Sequence, residues 1–154
     1  LQASFRFDRR NNLLIATVDG VERHAWECRN TTVGSKTSDP YGYEGMCPPG
    51  DYFIGTPQIL VQRERPYGFA FTPLIDTPQS MAQRKHGRKG IGVHGGGSGC
   101  DDPFCERQGW CPTDGCLRLQ NIDNYTPGRF TPCFVTTVQY LQVQCHKNII
   151  LTVV

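Results

Sequence analysis

A mainly β fold with one or two short helices follows from three observations. The apolar segments are short. Gly and Pro punctuate them, with 17 and 11 in a chain of 154 residues. Several segments alternate apolar and polar residues with period two rather than at helical spacing. The length suits a single domain over 1–154 that can bury an ordinary core.

Taken in order, Phe5 and Phe7 alternate with Arg6 and Asp8, the pattern of a half-buried strand. Asn11-Asn12 makes a turn, and 13–18 reads as the next strand. Asp19-Gly20 is a hairpin signal, with 21–28 returning as the partner strand. Residues 30–49 form a loop, punctuated by Asp39-Pro40, Gly42, Gly45 and Pro48-Pro49-Gly50. Residues 51–54 and 58–61 read as strands around Gly55-Thr56-Pro57. Residues 67–71 read as another, its Tyr67, Phe69 and Phe71 being either core or an aromatic wall beside a site.

Residues 84–89, Arg-Lys-His-Gly-Arg-Lys, are the one basic run. A solvated loop is the favoured reading; an electropositive rim that draws substrate carboxylates is the sharper one. No aromatics interleave the charges, so no nucleic-acid partner is expected. Leu117 to Tyr125 reads as a short helix or turn. Thr131-Pro132 reads as the start of a helix whose Phe134, Val135, Val138 and Leu141 recur on one face. Residues 149–154 read as a buried terminal strand.

The formal charge of +2 favours no partner class, and no apolar run is long enough to cross a bilayer as a helix, so the chain reads as soluble. It begins at Leu1 with no Met or signal-like segment and reads as a mature or trimmed form. Eight cysteines without a C-x-x-C pair favour disulfides and an extracytoplasmic location over zinc or cytosolic redox chemistry. The expected framework is Cys28 with Cys47, Cys133 with Cys145, and one pair plus one odd thiol among Cys100, Cys105 and Cys111. A zinc site from His94, Cys100, Cys105 and Cys111 is the disfavoured alternative. Asn30-Thr31-Thr32 and Asn124-Tyr125-Thr126 fit the glycosylation acceptor pattern, which also arises by chance. His24, His86 and His146 have no distinctive setting and read as surface residues.

The chemistry concentrates in 90–118, GIGVHGGGSGCDDPFCERQGWCPTDGCLR. His94 follows a short apolar run and Cys116 ends a loop rich in Gly, Asp and Cys. A thiol and an imidazole brought together across such a loop are a nucleophile and its base. Gly115 permits a tight turn before the cysteine.

At His94, Thr113, Gly115, Cys116 and Arg118 the sequence resembles the L,D-transpeptidase (YkuD-like) catalytic family, which carries Ser/Thr-x-Gly-Cys followed closely by Arg or Asn. CPPGDYFIGTP, residues 47–57, resembles the segment that precedes that family's active site. The chain departs from the pattern in having Asp114 where many members have His, and in its long cysteine-bearing loop. The resemblance implies a β-sandwich or barrel-like L,D-transpeptidase fold with Cys116 as nucleophile. His94 would hold the thiolate as an ion pair and protonate the leaving amine, with the Gly95 carbonyl fixing its imidazole. The N–H groups of Gly115 and Cys116 would form the oxyanion hole. Arg118 would hold a substrate carboxylate or brace the turn, and Thr113 would hydrogen-bond across the site.

It further implies peptidoglycan tetrapeptide stems as substrate, with no cofactor and no metal. Transfer of the acyl group to an amine gives a cross-link or an exchanged D-amino acid, and transfer to water gives carboxypeptidase action. A small periplasmic enzyme and an antibacterial effector with a delivery or immunity partner both fit. The competing class is a catalytically dead, disulfide-stapled wall-binding module. Four disulfides would consume every cysteine, whereas an enzyme needs Cys116 free.

Overall fold

Period-two alternation buries Phe5 and Phe7 in β1 (Ala3–Asp8), while Arg6 between them is exposed. The structure, a computed structural model, describes residues 1–129, 132–145 and 147–154. β2 (Leu13–Val18) pairs antiparallel with β1, and β3 (Val21–Arg29) returns along β2. The hairpin between them turns on Asp19 and Gly20, both with positive φ (49° and 80°), the conformation of a tight turn that matches strand twist.

β4 (Gly50–Ile54), β5 (Gln58–Glu64) and β6 (Gly68–Asp76) follow the loop, then α1 (Ala82–His86) and β7 (Gly92–His94). β8 (Leu117–Leu119), α2 (Asn121–Asn124), α3 (Phe134–Gln144) and β9 (Ile150–Val153) complete the chain. The strand order is β4-β9-β1-β2-β3-β8-β7-β6, and β4 also pairs with β6, so eight strands close into a barrel. β5 lies outside the ring as a flap hydrogen-bonded to β6. β1 and β9, the first and last strands, run side by side in parallel, Phe5 opposite Leu151.

Helix α3 packs its Phe134 edge-on against Phe5 (5.5 Å) and Trp26 (6.0 Å). Each such aromatic pair contributes about 1 kcal/mol beyond its buried area. Its buried residues are Phe134, Val135, Val138 and Leu141, the four that the sequence spacing groups. The helix begins later than expected, with Cys133 as N-cap and Thr136 hydrogen-bonded back to it. The expected cap at Thr131 and the surface placement of His146 lie outside the described residues.

Three readings of local structure are corrected. Leu117–Leu119 is a strand, not a helix or turn: all three residues are buried between β3 and β7, and long-range pairing overrides a weak local signal. Part of the basic run is α1, whose last turn carries Arg84, Lys85 and His86 toward the negative end of the helix. In β6 the buried face is Gly68, Ala70, Thr72 and Leu74, so Tyr67, Phe69 and Phe71 face outward and are not core.

The disulfide framework is also smaller than expected. Cys100 and Cys111 are joined, with Cα atoms 5.5 Å apart, and Cys105 between them is an exposed free thiol. Cys28 and Cys47 are unbonded and buried in the core, where the Cys47 sulfur instead contacts the Tyr52 hydroxyl and the Pro48 carbonyl. Cys133 and Cys145 cap opposite ends of α3. At 1.5 Å per residue they lie about 18 Å apart, three times the span of a disulfide.

Candidate active site

The site is built on β7 and β8, two short parallel neighbours with Val93 opposite Leu117 and His94 opposite Arg118. Residues two apart share a face, so Gly92, His94, Cys116 and Arg118 point the same way. Strand geometry places the His94 and Cys116 Cα atoms about 8 Å apart, a distance their side chains can bridge. His94, Cys116 and Arg118 line one cavity of about 500 Å³. Its rim comes from Tyr43 and Glu44, from Pro66 and Tyr67 at the β5–β6 turn, and from the segment ending at Gly90.

His94 is 4% exposed. Its Nδ1 lies 2.6 Å from the Gly95 carbonyl oxygen. A carbonyl only accepts, so Nδ1 carries the proton and the Nε2 lone pair is left for a base's work. Tyr67 packs edge-on against the imidazole at 5.2 Å and Phe71 lies nearly parallel to it at 6.0 Å. These two outward-facing aromatics thus form a wall around the histidine. Burial pushes the imidazole pKa down to about 4, against the Gly95 hydrogen bond, with the Arg118 charge adding to the depression.

Cys116 is partly exposed to the cavity but otherwise enclosed by protein, and burial raises its thiol pKa. The Gly92 N–H and the Arg88 charge oppose that rise without cancelling it. Both shifts favour the neutral forms, the opposite direction from a thiolate–imidazolium pair.

Gly115 adopts φ +101°, and any side chain there would overlap Arg88 and the Gly45 carbonyl. Its N–H, expected as an oxyanion donor, is instead taken by Thr113 Oγ1 at 3.2 Å. Thr113 Oγ1 also lies 3.1 Å from the Cys116 carbonyl, and Thr113 N–H donates to the Thr31 carbonyl at 2.7 Å. Thr113 lines the cavity, but its polar atoms hold the turn.

Arg118 is 2% exposed and donates to the carbonyls of Cys111 and, at 3.1 Å, Pro112. Among the described residues no carboxylate lies within ion-pair distance of it. Its Nε is buried without a partner. Burial lowers its pKa only to about 10, so the guanidinium stays charged at neutral pH. It both braces the Cys111–Pro112 segment and presents cationic charge to the cavity.

Three residues at this site, Arg88, Asn30 and Asn121, escape a reading of the sequence. Arg88, within the basic run, is buried rather than a solvated loop residue. Its Nη1 donates to the carbonyls of Tyr41, Gly42, Gly45 and Met46, at 2.9–3.2 Å, and its Nη2 to Asp114 at 2.7 Å. The rest of the run is mixed: Lys89 is exposed and lines the cavity, while His86 is half-buried against the Asp39 carboxylate and the Tyr41 ring. Asn30 is buried as well, its amide bonded to Gly115 and Cys47, so it does not present a glycosylation acceptor. Asn124, 0% exposed, fails as an acceptor for the same reason. Asn121 fixes the loop after His94, accepting from Gly96 N–H at 2.9 Å and donating to the Pro103 and Cys105 carbonyls. The Cys100–Cys111 bond removes two of the four ligands of the zinc alternative.

The depressed His94 pKa has a sign. An unfolded chain binds a proton on this residue below about pH 6.5, whereas the folded chain resists doing so until about 4. The contribution is complete above pH 6.5 and is lost as pH falls toward 4, about 3 kcal/mol in all. Thermal melts across that window are expected to show the wild type losing stability faster than His94→Asn, which keeps a donor for Gly95 but cannot titrate. Parallel curves would contradict this.

The site is thus a histidine at the end of one barrel strand and a cysteine just before its neighbour, both lining one cavity. No protein-family model matches the chain, and no curated protein sequence does. Among solved structures, the fold is similar to that of Bd1075 from Bdellovibrio bacteriovorus, with a TM-score of 0.58 at 11% identity over 99% of this chain and 48% of that one. An L,D-transpeptidase (residues 123–326) from Xylanimonas cellulosilytica aligns with a TM-score of 0.46 at 13% identity, over 99% of this chain and 60% of that one. The likeness to Bd1075 is one of fold. The chain spans less than two thirds of either structure's length.

Proposed function

We propose that the chain is one catalytic domain of a cysteine-dependent enzyme that modifies peptidoglycan tetrapeptide stems, as an L,D-transpeptidase or L,D-carboxypeptidase working outside the cytoplasm. The observation that carries this reading is the pairing of Cys116 with a neutral, oriented His94 on one face of one cavity. The Thr113, Gly115, Cys116 and Arg118 pattern supports the substrate class. The disulfide is compatible with an oxidising compartment, and no helix among the described residues is long and apolar enough to cross a membrane.

In this mechanism the stem's carbonyl at the diamino acid L-centre sits over Cys116. The sulfur attacks as its proton passes to His94 Nε2. The S–C bond forms, and the carbonyl π pair becomes an oxyanion. Collapse breaks the C–N bond, and the imidazolium gives its proton to the departing D-amino acid. An amine or water then attacks the thioester with His94 again as base. Arg118, charged and without a carboxylate partner, receives a substrate carboxylate. The enzyme reading needs Cys116 free, as it is here, while the single Cys100–Cys111 disulfide fits neither this reading nor the stapled binding module specifically.

Purified protein incubated with disaccharide tetrapeptides is expected to remove or exchange the terminal D-residue, or to form cross-linked dimers, as read by mass spectrometry. Unchanged masses with every donor and acceptor stem would favour the binding module.

A further inference from the structure

Asn30 lies behind the catalytic turn and outside the cavity lining. Its Oδ1 accepts the Cys47 N–H at 2.8 Å, and because an N–H can only donate, this fixes the orientation of the amide. Nδ2 therefore faces two carbonyls, Gly115 at 2.7 Å and Cys116 at 3.2 Å. A trans peptide holds the carbonyl of one residue antiparallel to the N–H of the next. Drawing the Gly115 carbonyl toward Asn30 turns the Cys116 N–H away from it. On the preceding peptide, Arg88 draws the Asp114 carbonyl and so turns the Gly115 N–H toward Thr113 Oγ1, which occupies it.

We infer that Asn30 is a positioning residue that aims the Cys116 N–H into the cavity as the principal oxyanion donor. The inference rests on the proposed role of Cys116 as nucleophile and adds the group that orients its backbone. The neighbouring Gly115 donor is tied to Thr113, so catalysis leans on the peptide that Asn30 holds. Asn30 touches neither substrate nor the reacting sulfur and acts only through that peptide plane.

The test compares two reactions of the same thiol. Acylation by p-nitrophenyl acetate develops an oxyanion, whereas alkylation by iodoacetamide does not. Asn30→Ala is neutral and leaves no new charge beside the thiol. It is expected to slow acylation of Cys116 by about 10²–10³-fold, the usual loss on removing one oxyanion donor. Alkylation is expected to change by less than about threefold, because it depends on thiolate fraction and access. Equal slowing of both reactions, or of neither, would overturn the inference. A wild-type protein whose Cys116 is not acylated would overturn the nucleophile assignment itself, and this inference with it.

A measurement on the unaltered protein decides the case should the variant not fold. N-acetyl-L-lysinal adds to a thiol, forming the S–C bond as the carbonyl π pair takes negative charge and the thiol proton passes to His94. The Cys116 amide proton is expected to move downfield and exchange more slowly on adduct formation. An adduct that leaves that resonance in place would overturn the inference.

Discussion

Cys116→Ala is expected to abolish muropeptide processing, a loss of about 10⁴-fold or more, while leaving the fold intact. The sulfur is free and partly exposed, and its polar contacts are with backbone alone, the Gly90 carbonyl at 3.7 Å and the Gly92 N–H. Truncating it removes no disulfide and opens no core cavity. The thermal midpoint should therefore stay within a few degrees, as about 1 kcal/mol moves it by roughly 2–4 °C in a chain of this size. His94→Ala should be as inactive, and the double variant no worse, because the two side chains act as one unit. The neutral resting state adds a further signature. Wild-type alkylation by iodoacetamide should rise only on the alkaline side of an ordinary thiol, since burial raises the Cys116 pKa. An alkylation plateau extending well below neutrality, a low-melting Cys116→Ala protein, or one that still processes stems would contradict this account.

Arg88→Met should have the largest effect on stability. The methionine keeps an apolar stem but supplies no donors, so the carbonyls of Tyr41, Gly42, Gly45, Met46 and Asp114 lose their shared partner. Breaking a buried charged hub of this kind costs about 3–5 kcal/mol. The melting midpoint should drop by roughly 6–20 °C. Arg88→Lys restores a charge and three donors but not the planar fork, and should recover only part of the loss. Activity should fall in both variants, because Asp114 is the residue through which Arg88 holds the catalytic turn. A melting temperature unchanged in Arg88→Met would show that the loop from Tyr41 to Met46 is held by something else.

What was legible in the chain is what local chemistry encodes. Alternation at Phe5 and Phe7 identified β1, Asp19-Gly20 identified the hairpin, and helical spacing picked out the four buried residues of α3. The Gly-Cys turn and the preceding histidine pointed to one cavity. β8 was not legible, because three residues carry too little periodicity and their strand state comes from β3 and β7. Asn30 and Arg88 were invisible for a related reason. Asn30 bonds to a carbonyl 85 positions away, and backbone carbonyls exist at every residue, so no side-chain pattern marks the partner. Their local contexts, an N-T-T tripeptide and a basic run, suggested surface roles instead. The cysteines were legible only in part: the loop holds the expected one pair and one odd thiol, whereas Cys28 and Cys47 stay unbonded and α3 separates Cys133 from Cys145.

The parallel contact between β1 and β9 sets the order in which the barrel can assemble. β1 has no β9 partner until the last strand has been made, and contacts of such long sequence separation close slowly. The Cys100–Cys111 link spans only 11 positions and can form long before that. Closure of the ring then seals Cys28, Cys47 and Cys133 inside the core. It follows that the chain passes through an interval in which these three thiols are open to mispairing. Under oxidising conditions the native pairing is therefore favoured by timing, the local pair closing before the distant thiols are sealed away.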